Sequence, residues 1–315
     1  MKATAALAAL LAASAFADGG KTYSNRECMK AFLTYMDAKA ADLGMAGTHY
    51  DSPSGLTQAS YSTPQDGLRL GLEVAANPEA MKIWNTPSRE FSIQGPNART
   101  MSVKNNVISG VAKDLAPFYP FLGGKGGSLT YSDHHRAQIL LVEVKGRRVM
   151  LSLMALGKAN FDNIYKSAKE LCDMMADLFD GKEPAEGPNL QAMVAGQGGY
   201  AACVVPKALK EPGGDSAALL KRKDALANSP TVSRYPASTS KVMTMLCALD
   251  FVKDTEATTV TVAQSDISGG SGSKLFEGDE LSMHDALLIM MMESSNSLAN
   301  TIARTVGRMI LEQGK

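Results

Sequence analysis

Tyr235-Pro236-Ala237-Ser238-Thr239-Ser240-Lys241 runs without a break into the apolar stretch VMTMLCALDFV at 242–252. The proline-led start and the continuous apolar run predict a helix that opens at Ser238. Residues three apart share a helix face, so Lys241 reaches back to the Ser238 hydroxyl. A serine hydroxyl is a weak nucleophile until a neighbouring base takes its proton. Lysine serves as that base only where burial or a second cation lowers its pKa. The free backbone N–H groups of a helix start are placed to stabilise an oxyanion. The spacing alone is a weak signal, because Ser271 and Lys274 repeat it within the run SGGSGSK. That copy has no helix to hold the pair and is read as a chance match.

The chain of 315 residues opens MKATAALAALLAASAFADGG. Lys2, an alanine/leucine run and Ala15-Phe16-Ala17 read as a secretory signal peptide at 1–17, cleaved near Ala17. No cysteine follows the cleavage point, so a lipid anchor is not expected. No later run approaches the ~18 apolar residues that a membrane span needs. The expected product is an exported protein, periplasmic or extracellular, with no membrane anchor. A hydrophobic fraction of 45% supports a sizeable core, and a formal net charge of +0 gives no reason to expect a nucleic-acid partner. Cys28, Cys172, Cys203 and Cys247 have irregular spacing; they could oxidise in an exported protein, but buried free thiols are the default. His49, His134, His135 and His284 show no metal-ligand spacing. No metal and no cofactor is expected.

Local patterns place the elements. Residues 24–44 read as an amphipathic helix, with a Ser24/Glu27 capping box and Gly44 at its end. Thr63-Pro64 starts a second helix with proline in its first turn. Residues 88–108 hold short β pieces. YPFLGGKGGS at 119–128 sets Lys125 between glycine pairs, and Gly126 rules out a nucleotide-binding P-loop. Residues 137–156 read as two strands about a Lys145-Gly146 turn, followed by a helix at 161–179. Residues 180–199 are rich in Gly, Pro and Ala and read as a linker. Beyond it come a strand at 200–209, a turn at 211–216, a second strand at 217–226, the Ser238 helix, a short strand at 258–263 and helices from Ser282 to the end.

These residues resemble the serine D-alanyl-D-alanine carboxypeptidases, the low-molecular-mass penicillin-binding proteins, which share a fold with class A β-lactamases and carry S-x-x-K, S-x-N and K-T-G motifs. PASTSK at 236–241 matches the first motif. Ser294-Ser295-Asn296 matches the second, at a spacing the family commonly shows, and the run GSKLFEGDELSMHDALLIMM leads into it as the family's does. The pieces that should follow lie at the start of the chain: ADLGMAGTHYDSPSGL, then YSTPQDGLRLG, then GGKGGSLT with Lys125. The resemblance therefore covers nearly the whole mature chain as a circular permutation, with about 200–315 preceding about 22–179 in the usual order. It implies an α+β fold of the β-lactamase/transpeptidase type, with an antiparallel sheet flanked by helices plus an all-helical subdomain. Residues 18–315 would form a single permuted peptidase domain. Its helical subdomain would span about 22–80 and 250–315 and its α/β subdomain about 81–249, with 180–199 joining the family's usual termini.

The resemblance also implies roles. Ser238 would be the acyl-accepting nucleophile and Lys241 its general base. Ser294 would relay the proton, Asn296 would hold the substrate's amide backbone, and Lys125 would supply positive charge that lowers the Lys241 pKa. Ser238 and Ser128 would lend their N–H groups to the oxyanion, with Gly126, Gly127 and Thr130 in the substrate-binding strand. Gly126 departs from the family, which has threonine or serine there. The lost hydroxyl removes one charge-assisted hydrogen bond to a terminal carboxylate, on the order of 1.5–3 kcal/mol, which Ser128 or Thr130 would have to replace. The implied function is an exported D,D-peptidase, carboxypeptidase or endopeptidase. It would cleave peptidoglycan stem peptides through an acyl-serine and be acylated by β-lactams. The alternatives are a β-lactamase-like hydrolase, disfavoured because the chain lacks the Leu-Asn pair of the deacylating loop, and a non-catalytic peptidoglycan-binding protein.

Overall fold

A computed structural model describes residues 22–129, 134–206 and 219–313. The signal-peptide reading at 1–17, the candidate Thr130 and the turn at 211–216 lie outside the described residues. The chain is α+β, built on antiparallel sheets.

Helix starts follow the local chemistry read above. Ser24 caps α1 (Asn25–Asp42) in a full capping box with Glu27. Gly44, at φ 72°, closes it, with Met45 N–H donating to the Ala40 carbonyl. Thr63 caps α2 (Pro64–Ala76), whose first residue is the proline. Asn77 then caps α3 (Pro78–Trp84). The hairpin of β1 (Ser88–Ile93) and β2 (Arg99–Lys104) does not join the main sheet. It bridges instead from Gln94 to Glu280 and pins Asp279 through both Arg99 Nη atoms, at 2.9 and 2.8 Å. Next is α4 (Asn106–Asp114).

The main sheet takes β3 (Phe121–Leu129), β4 (His135–Val144), β5 (Arg147–Ala155), β6 (Gly199–Val204) and β7 (Ala225–Asn228) in that spatial order. Lys145 and Gly146, at φ 49° and 73°, make the two-residue hairpin between β4 and β5. Helices cover both faces, which is why β4 and β5 read as continuous apolar runs rather than as alternation. Ile139, Leu141 and Met150 face the cluster that holds Leu68 and Leu72 of α2. Leu140, Val142 and Leu151 face the opposite cluster, with Val107 and Val111 of α4 and Leu171 and Met175 of α5 (Lys158–Phe179).

Two expectations change. Residues 180–199 are more than a linker. They carry α6 (Pro188–Ala195), which buries Leu190 and Met193 against α5. Gly187 offers α6 no side-chain cap, and the Glu170 carboxylate supplies one by accepting from Asn189 and Leu190 N–H, at 3.1 and 3.0 Å. The second strand is shorter and later than 217–226. Residues 220–224 turn, held by Arg222 on Asp224, and pairing with β6 begins at Ala225.

The apolar run after Ser238 becomes α7 (Ser240–Phe251), in which every residue from Ser240 to Ala248 is buried. A helix apolar on all sides belongs inside. After the short strands β8 (Thr259–Thr261) and β9 (Glu280–Ser282) come α8 (Met283–Met292), almost as completely buried, and α9 (Asn296–Glu312). Helices α9 and α1 pack closely, and Tyr23 donates to the Leu311 carbonyl at 3.1 Å. No helix among the described residues is long and apolar enough to cross a membrane.

The α1–α9 contact depends on Gly307. A Cβ there would stand 1.9 Å from the Cys28 carbonyl oxygen. Gly307→Ala is expected to lower stability by about 1–3 kcal/mol through overpacking, outweighing the ~1 kcal/mol that alanine gains over glycine in a helix. Urea unfolding of the two proteins checks this; an unchanged midpoint would mean that α1 moves aside at no cost.

Candidate active site

Ser238 lies on a single 3-10 turn, Ala237–Thr239, just before α7. Ala237 holds φ at 47° and the Thr239 hydroxyl donates to the Pro236 carbonyl at 2.7 Å. A non-glycine residue in the left-handed region costs about 1–3 kcal/mol and persists only where its surroundings dictate it. Ser294, at φ 68°, is a second case. It sits just before Ser295, the N-cap of α9, and Asn106 Nδ2 steadies this bend by donating to the Glu293 carbonyl at 3.2 Å.

Lys241 is 0% exposed and has three polar neighbours. Its Nζ is 2.8 Å from the Ser54 carbonyl oxygen, 2.8 Å from Asn296 Oδ1 and 2.9 Å from Ser238 Oγ. Asn296 Nδ2 donates to the Gly269 carbonyl at 2.8 Å, which turns Oδ1 toward the lysine. Two of the three neighbours can only accept. A neutral amine satisfies both with its two N–H bonds, and its lone pair is then left for the Ser238 hydroxyl proton. Burial lowers the Lys241 pKa well below the usual lysine range, and the Lys125 charge adds to the effect.

Lys125, in the middle of β3, is buried too and comes down to about 7 by burial alone. Its Nζ donates to the Gly126 carbonyl at 2.6 Å and to Ser294 Oγ at 3.0 Å. Strand β3 is the edge of the main sheet and forms one wall of a cleft. Its neighbour in that wall is the Ser238 turn. Gly127 permits the approach, since a Cβ there would stand 2.5 Å from Ser238 N and 2.9 Å from Thr239 N. Ser128, next along the strand, lines the cleft on both sides of Ser238. The opposite wall is the loop around Gly270 and Ser271, tied to α9 by the hydrogen bond from Asn296 N–H to the Ser271 carbonyl, 3.1 Å.

The structure thus brings Ser238, Lys241, Ser294, Asn296, Lys125, Gly126, Gly127 and Ser128 to one place. Of the chance repeat, Ser271 lines the cleft but Lys274 turns away, its ammonium over the Phe276 ring at 4.8 Å from the centroid. The expected cause of the Lys241 shift is reordered, with burial first and the Lys125 charge second.

Three contributors escape a reading of the sequence. The Ser54 carbonyl is backbone, so no residue type announces it. Gln138 and Arg136 of β4 also line the cleft. The signal for Gln138 is a polar residue inside a strand otherwise apolar, AQILLV. The four cysteine thiols are buried and unpaired.

No protein-family model, no curated protein and no solved structure matches this chain.

Proposed function

We propose that the protein is an exported serine D,D-peptidase that cleaves peptidoglycan stem peptides through an acyl-serine intermediate and is acylated by penicillins. The observation that carries this reading is the buried Lys241 amine, with two pure acceptors on its N–H bonds and the Ser238 hydroxyl at its remaining position. A serine kept only for binding has no use for a buried base held in this way.

In the proposed reaction Ser238 Oγ attacks the scissile carbonyl and Lys241 takes its proton. The backbone N–H groups of Ser238 and Ser128 hold the oxyanion. As the tetrahedral intermediate collapses and the scissile C–N bond breaks, Ser294, in contact with Lys125, gives its hydroxyl proton to the leaving amine, and the proton that Lys241 took from Ser238 restores the Ser294 hydroxyl. Water then releases the acyl group from Ser238. Asn296 keeps the lysine oriented and borders the cleft where the substrate backbone would lie. The chemistry needs no cofactor.

The permuted order belongs to the same proposal. It is supported by the segments that build the site: Ser54 and Lys125 come from the first part of the chain, Ser238, Lys241, Ser294 and Asn296 from the last. It is also supported by the contact of Tyr23 with Leu311, which makes α9 and α1 neighbours in space as they would be in the usual order. The packed segment with α6 then joins what would be the family's ends, and termini in a surface connection between helices are well tolerated.

The first test is labelling of the purified mature protein with a fluorescent penicillin. Wild type is expected to take covalent label and Ser238→Ala none, while Lys241→Met labels about 10²–10⁴-fold more slowly for want of its general base. Folded wild-type protein that stays unlabelled at high probe would remove the peptidase reading in favour of a non-catalytic binder.

The two lysines also set a pH profile. Acylation needs Lys241 neutral and Lys125 charged. The first condition fails as pH falls through the depressed Lys241 pKa, the second as pH rises through about 7. The acylation rate constant should therefore be bell-shaped, with its alkaline limb near pH 7. A rate still climbing above pH 9 would assign the proton transfer to a lysine of ordinary pKa.

A further inference from the structure

Gly126 leaves the cleft short of one polar side chain, and the fold puts a different one in its place. Gly126 pairs with Gln138 across β3 and β4, so substituents on the two residues project from the same face of the sheet. A Cβ on Gly126 would stand 2.7 Å from Gln138 Oε1 and 2.8 Å from its Nε2. The carboxamide therefore fills the space that a threonine side chain at 126 would enter. Gln138 is 1% exposed, lines the cleft, and has no hydrogen-bond partner on its Oε1. A buried polar group left without a partner destabilises a fold, and a leucine or methionine would fill the same volume without that cost. That cost is offset where the other end of the carboxamide, Nε2, donates to something that enters the cleft.

The surroundings say what that is. Arg136 lies two residues back on β4, on the same strand face, and its guanidinium sits over the Tyr165 ring at 5.5 Å from the centroid. Lys125 stands on the other side of β3. No Asp or Glu is among the described residues that line the cleft. Two cations and no carboxylate suit an anionic group. The carboxamide meets that group through Nε2, its donor, while Oε1 stays buried.

We infer that Gln138 is a specificity-determining residue: its carboxamide donates to the free carboxylate at the leaving end of the peptide, in place of the hydroxyl that Gly126 lacks. This rests on the peptidase reading above and deepens it, because it favours substrates with a free C-terminal carboxylate over cross-linked ones. It also makes residues 126 and 138 a coupled pair. A threonine at 126 meets the carboxamide, so the Gln138 side chain has to swing aside or be shortened.

The test compares kcat/KM on an acyl-D-alanyl-D-alanine peptide with a free carboxylate and on the same peptide ending in a carboxamide. Wild type is expected to prefer the carboxylate at least 10-fold. Gln138→Leu should lower that preference by roughly 10- to 100-fold, the worth of one charge-assisted hydrogen bond. Gln138→Glu keeps the shape but opposes the carboxylate with like charge, so it should prefer the amide; this variant decides the matter if Gln138→Leu does not fold. Gly126→Thr alone should lower the rate on both peptides, and Gly126→Thr with Gln138→Ala should restore the carboxylate preference. A wild-type preference near one, or an equal loss on both peptides in Gln138→Leu, would overturn the role of Gln138. Penicillin labelling separates the two ideas. Label with no carboxylate preference removes the role of Gln138 alone, whereas no label and no turnover of either peptide removes the peptidase reading and this inference with it.

Discussion

The burial of one amine organises the molecule. Lys241 lies inside a helix whose first nine residues are all buried, so its charged form is opposed by loss of solvation. Several kcal/mol stand against a buried ion that lacks a counter-charge, and none of the three groups within hydrogen-bond reach carries one. Burial therefore favours the neutral amine. Two N–H bonds and one lone pair must then be satisfied in a dry place. The carbonyl of Ser54 and the amide oxygen of Asn296 take the N–H bonds, which determines where the lone pair points.

The acceptors come from far along the chain, and the packing has to deliver them. Ser54 belongs to the turn-rich segment between α1 and α2, and Asn296 to the first turn of α9. The Gly127 approach seats the Ser238 turn against β3, and the all-round apolar character of α7 and α8 buries both helices against α9 and each other. Strain collects where these parts meet, at Ala237 and Ser294, the residues next to or within the two serine motifs. Such conformations survive because many surrounding contacts dictate them. None of this depends on the order in which the chain visits the segments. It requires only that each arrives and that the connections close.

Much of this was legible because the signals are local. The Ser24 capping box, the proline that opens α2 and the Lys145-Gly146 turn act within a few residues of themselves, and each stands where the local sequence puts it. The pairing of Ser238 with Lys241 is likewise a matter of one helical turn. Longer-range features were less open to view. α6 was hidden because its glycine and proline flanks look like a linker, and its stability comes from Glu170, nineteen residues away. The start of β7 does not show in the sequence because LLKRK has no period of its own; register with β6 decides it. Gln138 could be seen as an oddity in an apolar strand, but its relation to Gly126 exists only through the β3–β4 register.

The two buried lysines show how contacts, rather than residue type, divide labour within a site. Both lose pKa to burial, and like charges close together cannot both be held at low cost. At most one of them carries charge at low cost. Lys125 has one oxygen that can only accept and one hydroxyl within reach. Lys241 has two oxygens that can only accept besides its hydroxyl, and it bears the added effect of the Lys125 charge. In the proposed reaction the charge therefore falls to Lys125 and the lone pair to Lys241. An ammonium at Lys241 would leave the Ser238 hydroxyl able only to accept from it, and the proposed proton transfer would stop. The asymmetry that would make one lysine the base and the other the cation lies in the Lys125 charge, which only Lys241 bears on top of the burial both share.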